Sequence, residues 1–208
     1  MPSSIINYCI IGIFASGKTS LASSFVKNKQ SITNETTIGA SFIVNYTQTS
    51  GGQAIQLNIW DTAGQERYAM LLPMYSRNAD VIIFTIDPLN PDSVSYIKKM
   101  APAVVSDSVV AIHLVVTKMD TQYGEANAKE MVDSVKAFFR EFLRSDDKIV
   151  IEDYYTSAMT CYNVEQPFIT NCGDIIRQKV EKSSHSIEIT LKEPSPPNND
   201  CATKCGVL

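Results

Sequence analysis

Eight consecutive residues, Gly12-Ile13-Phe14-Ala15-Ser16-Gly17-Lys18-Thr19, hold the clearest chemistry in this sequence. A glycine, four residues and then Gly-Lys-Thr is the spacing GxxxxGK[ST] of a phosphate-cradling loop. Glycines let backbone N–H groups turn inward around an anion, and a helix beginning at Lys18 adds the positive end of its dipole. Lys18 then reaches the outer phosphate oxygens, while Thr19 offers a hydroxyl to a hard cation such as Mg²⁺. The expected phosphate and nucleotide contacts run through Phe14, Ala15, Ser16, Gly17, Lys18, Thr19 and Ser20. The placement after an apolar strand and before a helical stretch favours this reading over an unliganded glycine turn.

A phosphate loop serves ATPases, nucleotide kinases and GTPases alike, so other segments must decide. Asp61-Thr62-Ala63-Gly64-Gln65-Glu66 follows a strand ending at Trp60. That places the Asp61 carboxylate at a strand tip, where it can hold Mg²⁺ through water. Gly64 can bring a backbone N–H to a γ-phosphate, and Gln65 can orient an attacking water as the catalytic residue. Thr117-Lys118-Met119-Asp120 follows a further strand. An aspartate there can accept both the N1–H and the exocyclic amine of guanine. Adenine lacks that donor pair, so Asp120 selects against it. Ser157-Ala158-Met159 lies beyond the last strand and can supply N–H groups to the guanine oxygen. The ligand expected is GTP or GDP with Mg²⁺.

The elements that must carry these groups alternate between short β-branched runs and longer stretches with helical spacing. Strands are expected at Tyr8–Gly12, Ser41–Tyr46, Ala54–Trp60, Val81–Ile86, Val109–Val116 and Lys148–Tyr154. Several are apolar throughout, as parallel strands covered on both faces are. Helices are expected at Lys18–Val26, Pro91–Val104, Ala128–Leu143 and Val164–Lys182, the second opened by the N-cap pair Asn90-Pro91. Met131, Val135, Phe138, Phe139 and Phe142 fall on one stripe, which reads as a core face. Gly51-Gly52 signals a hairpin, so one pair is antiparallel within an otherwise parallel sheet. The fold class is α/β: a six-stranded, mostly parallel sheet with one antiparallel strand and about five flanking helices. The folded domain is expected over 5–182, with a disordered tail over 183–208.

Composition narrows the functions. The 208 residues carry a formal charge of −4, with 44% hydrophobic and 19% charged residues, which suits one globular domain with a short appendage. A negative charge without a Lys/Arg run argues against nucleic-acid binding. Five cysteines without a CxxC pair form neither a disulfide framework nor a zinc site, and Cys9 in an apolar run reads as core. The N-terminus lacks a secretory pattern and no run is long enough to span a membrane, so the expected compartment is the cytosol. Asn34-Glu35-Thr36 and Asn45-Tyr46-Thr47 are accordingly read as chance sequons.

From about Asn7 to Val180 the chain resembles the Ras superfamily and, within it, the Rab GTPases of membrane traffic. Besides the motifs above, the resemblance rests on Ile38-Gly39-Ala40-Ser41-Phe42, Leu57-Asn58-Ile59-Trp60, Glu66-Arg67-Tyr68 and Pro73-Met74-Tyr75-Ser76-Arg77-Asn78-Ala79. It implies a P-loop NTPase small G domain that binds GTP or GDP with Mg²⁺ and hydrolyses GTP. It further implies that Thr37 ligates Mg²⁺ and senses the γ-phosphate, and that Phe42, Trp60 and Tyr75 form an effector surface. Implied partners are effectors, a guanine nucleotide exchange factor, a GTPase-activating protein and prenyl-handling chaperones of the GDP-dissociation-inhibitor type, on a monomeric domain. The terminal Cys205-Gly206-Val207-Leu208 is a CaaX box, and Cys201 is a candidate second lipidation site. Together these imply a lipid-anchored protein on the cytosolic face of an intracellular membrane, cycling with the cytosol.

Four positions depart from the family pattern. Phe14 stands where a small residue usually lies beside the γ-phosphate, and Gln30 where an aromatic ring usually flanks guanine. Thr117 replaces the commoner asparagine, and Met159 replaces a lysine. GTP binding is expected, with hydrolysis and release rates open. A GTP-binding scaffold with little hydrolysis is the alternative reading, and a phosphotransferase is a third.

Overall fold

The computed structural model describes residues 4–27, 37–49, 51–121, 124–143 and 148–190. Gln30, Asn34, Cys201 and Cys205 lie outside them. Six strands, β1 (Ser4–Ile11), β2 (Ala40–Gln48), β3 (Ala54–Thr62), β4 (Val81–Ile86), β5 (Ala111–Val116) and β6 (Val150–Tyr155), form one sheet in the order β2-β3-β1-β4-β5-β6. Only the β2–β3 pair is antiparallel, closed by a turn in which Gly52 takes a left-handed φ of 78°. The sequence expectation of one antiparallel strand holds for that reason: a positive φ is adopted cheaply by glycine.

β4 and β5 are buried along their whole lengths. Helices cover both sheet faces, which is why these strands read as nearly continuous apolar runs, interrupted by Thr85 in β4 and His113 in β5. On β1, Tyr8 and Ile10 pack into one core with Leu21, Phe25 and Phe168, while Cys9 and Ile11 face the other with Leu72, Ile97 and Phe139. That is the strand period of two acting on two layers. The first layer holds α1 (Lys18–Lys27) and the second α2 (Leu72–Ser76), α3 (Asp92–Val104) and α4 (Gly124–Phe142). Asn90 Oδ1 accepts the Asp92 N–H at 3.1 Å, while the N-cap position itself falls at Pro91, one residue later than the expected Asn90, because α3 begins at Asp92.

On α4, Val135 and Phe139 are fully buried and Met131 and Phe138 partly so, as the stripe predicts. Phe142 sits at the outer edge, stacked on Phe138 with ring centroids 5.6 Å apart.

The expected helix over 164–182 is interrupted. α5 (Gln166–Ile169) ends at an extended Thr170, and Asn171 turns with a φ of 56° before α6 (Cys172–Thr190) begins. Asparagine tolerates the left-handed conformation, and this break is invisible to hydrophobic spacing. α6 also continues past Lys182 into residues expected to be tail. A further segment escaped the sequence reading: a 3₁₀ turn over Glu66–Leu71 leads into α2, with Pro73 in its first turn. Among the described residues, no helix is long and apolar enough to cross a membrane.

Candidate nucleotide-binding site

In the parallel part of the sheet, strand order reverses around β1, which lies between β3 and β4. Ligands of open α/β sheets bind beyond the carboxyl ends of strands at such a point. The loop leaving β1 there is the Gly12–Thr19 segment. A Cβ on Gly12 would lie 2.1 Å from Thr85 Oγ1, so the close approach of β4 requires glycine. Ala15 and Gly17 adopt φ of 60° and 88°, the backbone reversal that turns successive N–H groups to one side. Ser16 is fully buried beneath the loop, its hydroxyl 2.7 Å from that of Thr85.

Lys18 folds back along the loop. Its ammonium donates to the carbonyls of Gly12 and Ile13, each at 2.9 Å. Burial depresses its pKa from 10.5 to about 8, and the nearby Asp61 carboxylate offsets only part of that. Asp61, 1% exposed, is raised by the same desolvation, against the opposing influence of Thr19 and Lys18. Burial therefore outweighs their mutual attraction in both groups.

Thr19 and Thr37 place their hydroxyl oxygens 2.9 Å apart. Beside them, Asp61 Oδ1 is buried without a hydrogen-bond partner. An orphaned buried carboxylate oxygen beside two hydroxyls is an all-oxygen donor set, the chemistry Mg²⁺ requires. No group of three or more His, Cys, Asp and Glu side chains that could hold a metal occurs among the described residues, so hydroxyls must complete any such site.

Gly64 closes over the loop. A Cβ there would lie 2.3 Å from Lys18 Nζ and 2.8 Å from both the Ile13 carbonyl oxygen and Phe14 Cα. Ala63 N–H donates to the Gly39 carbonyl at 2.8 Å, joining the segment before β2 to the segment after β3. Gln65 follows in extended conformation and caps the 3₁₀ turn, its carbonyl accepting the Tyr68 N–H at 3.0 Å. Phe14 is 50% exposed.

The base-recognition candidates converge on a cavity of about 260 Å³ lined by Gly17, Thr117, Lys118, Asp120, Ala158 and Met159, among others. Thr117 Oγ1 donates to the Ser16 carbonyl at 2.8 Å and to that of Ile86 at 3.3 Å. A short hydroxyl thus ties this loop to the phosphate loop. Lys118 has a φ of 59° and pairs with Asp87 Oδ2 at 2.6 Å. Ser157 Oγ donates to Asp120 Oδ1 at 2.5 Å, aiming the carboxylate. Ser20 and Leu21 of α1 complete one wall, and Met159 is 56% exposed. Phe25 cannot serve as a ring against the base, because it is buried and stacked on Phe168 with centroids 4.3 Å apart. Leu21, Thr85, Asp87 and Thr156 were missed by motif reading. Only the position of Asp87, directly after a mostly apolar strand, could have flagged it.

Phe42, Trp60 and Tyr75 do meet. Phe42 and Trp60 are cross-strand partners with ring centroids 4.8 Å apart, and Trp60 lies 5.2 Å from Tyr75. Phe42 is half exposed, with Val44 and Tyr46 exposed at alternate positions of the same edge strand.

The assembled geometry can bind a nucleotide with its phosphates at α1 and its base between the 117–120 and 157–159 loops. A Ras-family profile matches residues 7–177. The chain is 30% identical over 203 residues to GTP-binding protein ypt5 of Schizosaccharomyces pombe, covering 93% of this chain and 91% of that protein. It is 32% identical over 164 residues to Ras-related protein Rab-5A of Dictyostelium discoideum, covering 77% and 75%. It is also 38% identical over 124 residues to GTP-binding protein YPT53 of Saccharomyces cerevisiae, covering 58% and 55%.

Proposed function

The chain belongs to the Ras family as a Rab-type GTPase, and from that premise we propose that it is a GTP/GDP switch whose GTP-bound face recruits effectors in intracellular membrane traffic. The observation that carries the reading is the convergence of Lys18, Thr19, Thr37 and the orphaned Asp61 oxygen at the end of β1.

In this reading Lys18 and the loop N–H groups hold the β- and γ-phosphates. Thr19, Thr37 and Asp61 are the residues that would hold Mg²⁺, which supplies charge neutralisation at the phosphate oxygens. Asp120, aimed by Ser157, selects guanine, and the Ala158 and Met159 backbone serves its oxygen. Gly64 donates its N–H to the γ-phosphate, and Gln65 orients the attacking water. Loss of the γ-phosphate releases Thr37 and Gly64, and the joined segments loosen the Phe42–Trp60–Tyr75 surface. Exchange factors and GTPase-activating proteins act on those segments. Lipid attachment at Cys205, with Cys201 as a second site, completes the proposal and holds the domain on the cytosolic side of a membrane.

The test is nucleotide competition followed by single-turnover hydrolysis. GTP and GDP should displace a labelled guanine nucleotide while ATP does not, and Gln65→Leu should slow hydrolysis by about 10-fold or more. Equal displacement by ATP would refute the guanine reading. A slowly hydrolysing, GTP-loaded scaffold is a second reading, favoured by the exposed Phe14 ring on the phosphate loop.

A further inference from the structure

We infer that Asp87 is a positioning residue for the guanine site, acting through its ion pair with Lys118. The inference rests on the guanine-nucleotide reading above and extends it to a residue outside the loop motifs.

Asp87 follows β4 directly and is nearly buried. Its two carboxylate oxygens have separate tasks. Oδ1 accepts the Leu89 N–H at 3.0 Å, and Oδ2 takes the Lys118 ammonium at 2.6 Å. The Asp87 backbone N–H donates to Ser93 Oγ at 3.2 Å, and Ser93 is itself fully buried on α3. The carboxylate is therefore set by the end of a central strand and the first turn of a helix. It is a rigid point from which to hold a flexible side chain.

Lys118 needs such a point. Its backbone occupies the left-handed region, which residues other than glycine and asparagine adopt at a cost. Its carbonyl accepts both the N–H and the hydroxyl of Thr121, at 3.1 and 2.8 Å, so the loop turns tightly around it. The same residue lines the base cavity between Thr117 and Asp120. An ammonium pulled toward β4 draws the lysine stem along the cavity wall and fixes the strained turn that aims Asp120. Without the carboxylate, Lys118 is free to take up other rotamers, and a four-carbon stem holds no geometry unaided. The 117–120 loop would then have to be ordered by the nucleotide, which lowers affinity and speeds release.

The pair is short, but Lys118 is 37% exposed, so solvent screens it. Asp87→Asn keeps the shape and removes the charge. Release of a fluorescent GDP analogue from full-length protein with Mg²⁺ should accelerate roughly 5–30-fold, the range that one or two kcal/mol produces. Lys118→Met should accelerate release comparably. The double variant should be no faster than the faster single one, because both remove the same pair. Asp87→Glu, which retains the charge, should recover part of the wild-type rate, a result that a purely structural role at the end of β4 would not give. Multiplicative effects in the double variant, or an Asp87→Asn rate equal to wild type, would overturn the inference. Failure of wild-type protein to retain GDP would instead overturn the nucleotide reading on which it rests. Should Asp87→Asn prove insoluble, the Lys118→Met and Asp87→Glu rates still decide: wild-type release by both refutes the pair.

Discussion

The hydroxyl oxygens of Thr19 and Thr37 lie 2.9 Å apart, joining the first turn of α1 to the segment entering β2. Two threonines 18 positions apart in the chain meet at the tip of the β3 aspartate, whose Oδ1 has no partner. Two part-buried hydroxyls gain little net stability from each other alone. On the proposed reading, a shared cation would account for their convergence on a buried carboxylate.

Removing either hydroxyl should therefore weaken binding only when Mg²⁺ is present. Thr19→Ala and Thr37→Ala are each expected to reduce affinity for a GTP analogue by about 10-fold or more in Mg²⁺, and by far less in EDTA. Calorimetry in both buffers checks this. A loss of equal size without Mg²⁺ would assign the threonines to phosphate rather than metal.

Lys18 predicts a pH dependence. Its folded-state pKa of about 8 lies below its ordinary 10.5, because burial disfavours the ammonium. Between those values the unfolded chain keeps a proton that the ligand-free fold has lost, so this group's contribution to stability rises with pH across the window. Below about pH 8 both states are protonated and the destabilisation by the buried charge is fully present. Phosphate favours the ammonium, so nucleotide binding must take up a proton above that pH. Affinity for GTP should fall by up to about 10-fold per pH unit above 8, and Lys18→Met should abolish the slope along with most of the affinity. Titrations at pH 7 and pH 9.5 read it directly.

These charges were legible in the sequence as residue types but not as a balance. The phosphate-loop spacing named Lys18, and a strand-tip aspartate named Asp61, before any fold was known. What spacing cannot convey is that both are buried far enough for desolvation to outweigh their attraction. The sheet was legible because β4 and β5 are mostly apolar, with Thr85 and His113 the exceptions, and Gly52 marks the β2–β3 hairpin. The Glu66–Ser76 turns and the break at Asn171 were not, since neither a 3₁₀ turn nor a left-handed asparagine leaves a periodic trace. Asp87 was missed for a different reason: its partner Lys118 is 31 residues away, brought close by the β4–β5 pairing.

Gly64 should tolerate no side chain in this closed arrangement. A Cβ would meet the Ile13 carbonyl and Phe14 Cα at 2.8 Å, and these are backbone atoms that cannot rotate away. Gly64→Ala is expected to leave GDP binding within about threefold, yet to lower GTP-analogue affinity and hydrolysis by roughly 10-fold or more, since only the γ-phosphate state needs this approach. Equal losses for GDP and the GTP analogue would mean that the contact serves the fold in general.

Trp60 is the chain's single tryptophan, held between Phe42 and Tyr75. Through β3 it is three residues from Ala63, whose N–H binds the Gly39 carbonyl. Movement of either segment should change the environment of the indole. Its emission is expected to differ between the GDP state and a non-hydrolysable GTP state, and Ala substitution at Phe42 should shrink the difference. Identical spectra would uncouple this surface from the nucleotide.

Phe14 offers the sharpest test of catalytic rate. Its Cα faces Gly64 so closely that a Cβ on that glycine would come within 2.8 Å, and Gln65 leaves the chain at the next position. The ring is 50% exposed, so it contributes little to the core and its removal should scarcely lower the melting temperature. In the proposed reading, a ring rooted at this point competes for the space beside the γ-phosphate with Gln65, the attacking water and any arginine supplied by an activating protein. Displacement of such groups by about 1 Å can cost on the order of 100-fold in rate. Phe14→Gly should therefore raise single-turnover GTP hydrolysis by about 10–100-fold, with Gln65→Leu cancelling the gain in the double variant. Binding of GDP, which has no γ-phosphate, should change little. If Phe14→Gly hydrolyses GTP at the wild-type rate, with and without an activating protein, the ring lies clear of the reaction and slow hydrolysis loses its structural basis.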